Sequence, residues 1–174
     1  MKESSLSESH GTYNLDIGGW NGGLLLDKLS AANIQLNEHA LTLLTSDQFK
    51  TLTERQGVKI TVVSVSDLGF PSGACMPAII DGAIQRGYRL CPMELAVHFR
   101  LQYQDQSEEI DAVVTQNCAP PGSITVASEP ISLDKHFPKG FYLRNIEGRL
   151  WLRGYRSDDE HQWNASDLFA FLIA

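Results

Sequence analysis

Between Phe141 and Arg153 the chain carries two short runs, Phe141-Tyr142-Leu143-Arg144-Asn145-Ile146 and Arg149-Leu150-Trp151-Leu152-Arg153, on either side of the pair Glu147-Gly148. Alternation with period two suits a strand with one side in a core, and a two-residue turn between such runs suits a tight hairpin. The alternation puts Leu150 and Leu152 on one side and Arg149, Trp151 and Arg153 on the other. One side must be buried, and the leucines are the better choice.

Other strands follow from the same kind of reasoning. Lys59-Ile60-Thr61-Val62-Val63-Ser64-Val65 is β-branched and bounded by Gly57 and Asp67. Ile124-Thr125-Val126-Ala127 reads as a strand, and Leu168 to Leu172 as a buried last strand. Helical spacing appears in Leu24, Leu25, Leu29 and Ala32, with Asn33 as a stop, and again in Ala40, Leu41 and Leu44 behind the capping residue Asn37. Together these two segments read as a helical hairpin. A third helix, with Met76, Ile79, Ile80, Ala83 and Ile84 on one face, is capped by Ser72 and ends at Gly87. Cys91-Pro92-Met93-Glu94 looks like a fourth helix start, although residues 99–103 alternate with period two and compete as a strand. The expected architecture is α+β: an N-terminal helical hairpin, a central strand–helix unit and a C-terminal antiparallel sheet. Residues 1–22, rich in Ser, Glu and Gly, read as a mobile arm before a single domain spanning 23–174. Residues 104–122 read as an excursion with a short strand at Ile110–Val114.

Length and charge exclude several classes. A chain of 174 residues with 43% hydrophobic residues holds a core without staples. Its longest apolar stretch, Leu168–Ala174, is far short of the roughly 18 residues of a membrane span, and its polar start lacks a signal peptide's apolar segment. Three cysteines make no disulfide framework. These features point to the cytoplasm. A net charge of −7 without a run of Lys and Arg argues against nucleic acid, although Arg144, Arg149, Arg153 and Arg156 fall close together. Gly18-Gly19-Trp20-Asn21-Gly22-Gly23 has the wrong spacing for a phosphate loop and no Lys-Ser or Lys-Thr at the helix start, so it reads as a hinge.

The order of several segments carries a resemblance. Asp67-Leu68-Gly69, the helix ending at Gly87, Leu90-Cys91-Pro92-Met93-Glu94, Arg100 to Gln106, Ala127-Ser128-Glu129-Pro130-Ile131, and Trp151-Leu152 with Trp163 and Phe169 follow one another as in a family of small bacterial proteins. The chain resembles that family from Ala32 to Phe171, with a longer 108–122 stretch and an extra N-terminal arm. Some members carry a helicase label, which a chain without a nucleotide-binding loop does not support. The family has no established activity, so the resemblance implies an α+β bacterial cytosolic protein and transfers no catalytic residue.

Cys91, Glu94 and His98 form the most suggestive cluster: a helix beginning at Pro92 would place the thiol at its positive end and Glu94 and His98 on one face. A thiol-dependent hydrolase or transferase using Cys91 follows from that reading. Against it, His98 would lie about 10 Å up the helix from Cys91. Glu129, at the end of an apolar strand, is a further candidate acid. The five histidines are scattered singly and no Cys-x-x-Cys pair occurs, so neither a metal nor any other cofactor is expected.

The remaining candidates are for binding. Arg149, Trp151, Arg153, Tyr142 and Trp163 make an aromatic and cationic set of the kind that anchors interfaces. Either this side is exposed, or further elements cover it and leave Trp151 in a core with arginines at the rim. The sequence thus predicts a non-catalytic module that binds another protein, with the thiol enzyme and a small-ligand pocket between helices and sheet as alternatives.

Overall fold

The computed structural model describes residues 10–108 and 119–174. Along the chain run β1 (Gly11–Ile17), α1 (Gly22–Ala31), β2 (Gln35–Leu36), α2 (Glu38–Leu44), β3 (Gln56–Ser64), β4 (Ala74–Cys75) and α3 (Met76–Gln85). Then come β5 (Tyr88–Arg89), α4 (Leu95–Gln102), β6 (Ile124–Val126), β7 (Gly140–Ile146), β8 (Arg149–Tyr155), β9 (Gln162–Trp163) and β10 (Leu168–Ile173). Eight strands form one curled sheet, a half-barrel ordered β1-β3-β10-β6-β7-β8-β2, with β5 also pairing β10.

The expected architecture is overturned by this sheet. Both N-terminal helices form, capped by Asn21 and Asn37, but they make no hairpin. The residues between them, Gln35 and Leu36, add a parallel strand to β8. Asn37 then does two jobs: its Oδ1 accepts from the Ala40 and Gly154 N–H groups, while its Nδ2 donates to the Gly154 carbonyl. Only glycine suits position 154, because a Cβ there would lie 2.6 Å from the His39 carbonyl carbon. The sheet is also neither C-terminal nor purely antiparallel. The last strand lies at its centre, antiparallel to β3 and parallel to β6, so N- and C-terminal segments share one ladder.

The proposed arm needs correction too. Its residues Gly11–Ile17 form β1 in register with β3. Alternation explains the oversight: Leu15 and Ile17 are buried, while Thr12, Asn14 and Asp16 face water, which dilutes the apolar signal. Residues 1–9 and the suggested strand at 110–114 lie outside the described residues.

Two cores lie on the two sides of the sheet. The inner side carries Ile60, Val62, Ile124, Val126, Leu143, Leu152 and Ala170, and α4 lies across it, touching β1 at one edge and β7 and β8 towards the other. Every residue from Leu95 to Arg100 is buried. Residues 99–102 are therefore helix, not strand. The outer side of β3 and β10 carries Val63, Phe169 and Phe171, which α3 and the small β4–β9 ladder cover through Ile79, Ala83, Ala74 and Trp163. Ser72 does not cap α3, whose first turn follows Cys75 with Pro77 inside it.

Candidate functional site

Register across the sheet shows where a surface site is built. On the outer side one row of paired residues runs Val63, Phe169, Thr125, Tyr142, Arg153 from β3 to β8. The first two are buried under α3 and Trp163, whereas Tyr142 and Arg153 are half-buried. The helices that touch β7 and β8 are α2, which meets the inward-facing Gly154, and α4, which fills the hollow. The outer side of the hairpin thus presents the pairs Ile146–Arg149, Arg144–Trp151 and Tyr142–Arg153, with Tyr155 lying over Gly140.

The expected alternation is present. Leu152 is fully buried and Leu150 packs on the inner core, whereas Arg149 is exposed and Trp151 and Arg153 are half-buried. Arg153 is held rather than free: its Nε donates to Tyr142 Oη at 2.9 Å and its guanidinium lies 5.0 Å from the Trp151 ring centre. Cation–π attraction and a hydrogen bond thereby order three side chains that water would otherwise leave mobile. Trp163, the fifth predicted binding residue, is placed differently. It is 5% exposed and sits among Tyr155, His161 and Phe169 in the outer core. An indole at a strand end two residues from His161 gave no sign of which side it would face.

Where the outer core stops and the open hairpin begins, a concavity of about 620 Å³ opens, walled by Tyr142, Tyr155, Trp163, His161, Thr125 and Arg156 among others. Burial pushes the Tyr155 phenol above its ordinary value, so it stays neutral at physiological pH. On the far side of Tyr155 a second hollow of about 470 Å³ is lined by Met76, Ile80, Leu133 and the acids Asp81, Asp158 and Asp159. Asp158 is shaped by the chain itself, since its Oδ1 accepts from the Glu160 and His161 N–H groups.

The thiol cluster is split by the fold. The helix starts at Leu95, with Glu94 at the capping position, so Cys91 is not at a helix end. The residue is 3% exposed, and its thiol donates to the Ala170 carbonyl at 3.6 Å. Burial pushes the thiol up to about 12, the reverse of what a nucleophile needs. Glu129 is exposed and borders the same concavity as Cys91, together with Lys50 and Arg89. Glu94 and His98 do meet, at 3.5 Å, but in the interior, each 1% exposed. Glu94 Oε1 accepts from the Leu52 N–H at 2.7 Å and His98 Nε2 accepts from the Gly18 N–H at 3.2 Å. Trp20 stacks on the imidazole at 5.3 Å, and Lys28 Nζ lies over that indole. The pair therefore ties α4 to the glycine segment and to the 50s loop under an aromatic cover. Gly18 has φ +86, and a Cβ on it would lie 2.2 Å from the Glu54 carbonyl oxygen; the glycines serve close approach here.

Sequence reasoning missed Arg100 and its neighbours. Arg100 is fully buried without a carboxylate partner among the described residues, and desolvation lowers its pKa to about 10. It donates to Gln106 Oε1 at 2.6 Å and to the Tyr103 and Trp151 carbonyls. Gln106 Nε2 in turn reaches the Gly122 and Leu143 carbonyls, so the guanidinium secures both ends of the 106–122 stretch to the back of the hairpin. An arginine inside a helix flanked by apolar residues was the available signal.

Among the described residues no group of three or more His, Cys, Asp or Glu is arranged to hold a metal ion, and no helix is long and apolar enough to cross a membrane. No protein-family model matches the chain, and neither a curated protein nor a solved structure was found similar to it.

Proposed function

We propose that this protein is a non-catalytic binding module that engages another protein through the outer side of the β7–β8 hairpin. Trp151, Arg149, Arg153 and Tyr142 are the contact residues, and the concavity beside Tyr155 receives a side chain of the partner. The observation that carries this reading is the ordered Tyr142–Arg153–Trp151 group on a sheet side that the described residues leave open. Side chains held in place before binding lose little entropy when a partner arrives, and Trp, Tyr and Arg supply a large share of interface energy. The cytoplasm is the proposed compartment, supported by the thiols of Cys75 and Cys91, which form no disulfide among the described residues.

Quantitative affinity capture tests this proposal, with wild-type protein compared with Trp151→Ala and with a Leu133→Ala control, a change at an exposed residue off the hairpin. A partner retained by the wild type and the control and lost by Trp151→Ala is the expected result. An identical set of captured proteins for all three, with each variant folded by circular dichroism, removes the proposal.

A further inference from the structure

The charge of the open hairpin defines the partner more narrowly. Four of the chain's 14 basic residues lie at Arg144, Arg149, Arg153 and Arg156, in a protein with 21 acidic residues. Among the described residues none of the four has a carboxylate oxygen within 4.0 Å, although the chain has a surplus of acids to offer. Arg144 stands directly across from Trp151, and Arg149 ends the same side of β8. The opposite end of β8 carries different chemistry. There Tyr142, Tyr155, His161 and Trp163 wall the 620 Å³ concavity, and its charged lining is one cation, Arg156, against two acids, Asp158 and Glu160.

We infer that the segment bound by this hairpin is an extended acidic peptide that carries one aromatic or large apolar side chain. The inference rests on the binding-module reading above. The carboxylates lie over Arg144 and Arg149, and the aromatic side chain enters the concavity at Tyr155. Trp151 and Tyr155 are four residues apart on one strand, about 13 Å at the strand rise of about 3.3 Å per residue, and Arg149 is two residues further. An extended peptide running beside β8 therefore places its carboxylates four to six residues from its anchor. A nucleic acid has a similar attraction to the arginines, but it carries a phosphate at every step, and continuing along β8 would press phosphates onto Asp158, Asp159 and Glu160. A peptide confines its negative charge to one end. With Arg156 outnumbered by Asp158, Asp159 and Glu160, the charge of the strip still changes sign along its length, which favours the peptide.

Selection from a random twelve-residue display library on the full chain tests this, with counter-selection on the doubly charge-reversed Arg144→Glu/Arg149→Glu protein. The expected pool is enriched in Asp and Glu, with Phe, Tyr or Trp four to six positions away. A labelled peptide from that pool should bind at least tenfold more weakly to the reversed protein, and again when its aromatic residue is replaced by alanine. Both proteins must first show the same urea midpoint within error, and Arg149→Ala serves as the milder substitute if the double variant does not fold. Peptides that depend on Trp151 but are neutral or basic overturn this inference and leave the binding-module reading intact. A pool in which no peptide depends on Trp151 overturns both. Tighter retention of a random 25-nucleotide RNA than of the selected peptides, lost in the reversed protein, also overturns the inference, because the polyanion is then nucleic acid.

Discussion

The two halves of the sheet's outer side are made by the same ladder yet end in opposite states. On β3 and β10 the outward residues are Thr61, Val63, Phe169 and Phe171, and a helix and a small ladder close over the apolar three. On β7 and β8 they are Tyr142, Arg144, Trp151 and Arg153, and the row remains half-exposed. Backbone pairing is continuous between them, so the difference lies in the side chains alone. There the outward residues are apolar but for Thr61, and covering them returns about 25 cal/mol for every Å² of apolar surface taken from water. Where guanidinium groups alternate with rings, a cover would have to desolvate cations without partners, which costs more than the rings return. Thr125, between Phe169 and Tyr142, marks the boundary, and the concavity opens at that boundary.

Phe169→Ala gives the strongest test of that contrast. The ring is fully buried against Trp163 and Phe171, so its loss should cost about 3–5 kcal/mol in chemical denaturation. A loss below about 1 kcal/mol would mean that the covered half is loosely packed and the contrast is false.

Cys91 sharpens the picture on the dry side of the molecule. In the folded protein at pH 8 its thiol should resist iodoacetamide, with modification appearing only as denaturant unfolds the chain; peptide mapping by mass spectrometry separates it from the half-exposed Cys75. Because the native thiol is pushed from 9.0 to about 12, its contribution to stability is complete below pH 9 and is lost as the pH rises from there towards 12. Rapid alkylation of native Cys91, or stability rising across that interval, contradicts a buried neutral thiol.

Trp151→Ala should have the smallest effect. With its ring half in water and one cation–π contact to lose, the expected cost is about 1 kcal/mol or less in the same denaturation assay. A cost matching that of Phe169→Ala would show the hairpin's outer side to be core in solution.

The parts of the fold that were readable in advance are those whose local chemistry and tertiary role agree. Glu147 and Gly148 both adopt positive φ, as a two-residue hairpin turn needs, and Asn37 accepts the Ala40 N–H at a helix start. Asn33, with φ 57, ends α1 in the left-handed conformation that asparagine tolerates. The errors share another cause. Helix α4 is buried all round from Leu95 to Arg100, so that stretch shows no amphipathic period, and its polar residues Arg100 and His98 are accommodated by partners outside the helix, among them the Trp151 carbonyl and the Gly18 N–H. The joining of β10 to β3 and of β2 to β8 depends on pairings that cross most of the chain, which no window of neighbouring residues encodes. Of the binding set, Arg149, Trp151 and Arg153 were placed on the outer side by alternation alone; Tyr142 and Trp163 were given no side, and the strand of Trp163 is only two residues long.

At one edge of the half-barrel a side chain stands where a neighbouring strand would pair. At the outer edge of β1, the Gln102 carboxamide accepts from the Asp16 N–H at 3.0 Å and donates to the Asp16 carbonyl at 2.7 Å, copying the way one strand greets the next. With that residue's main-chain groups already satisfied, another chain approaching along β1 would run into the end of α4, and zippering would stop before reaching Asp16. A rim that invites stacking in other sheets is thereby closed at its Ile17 end by one glutamine.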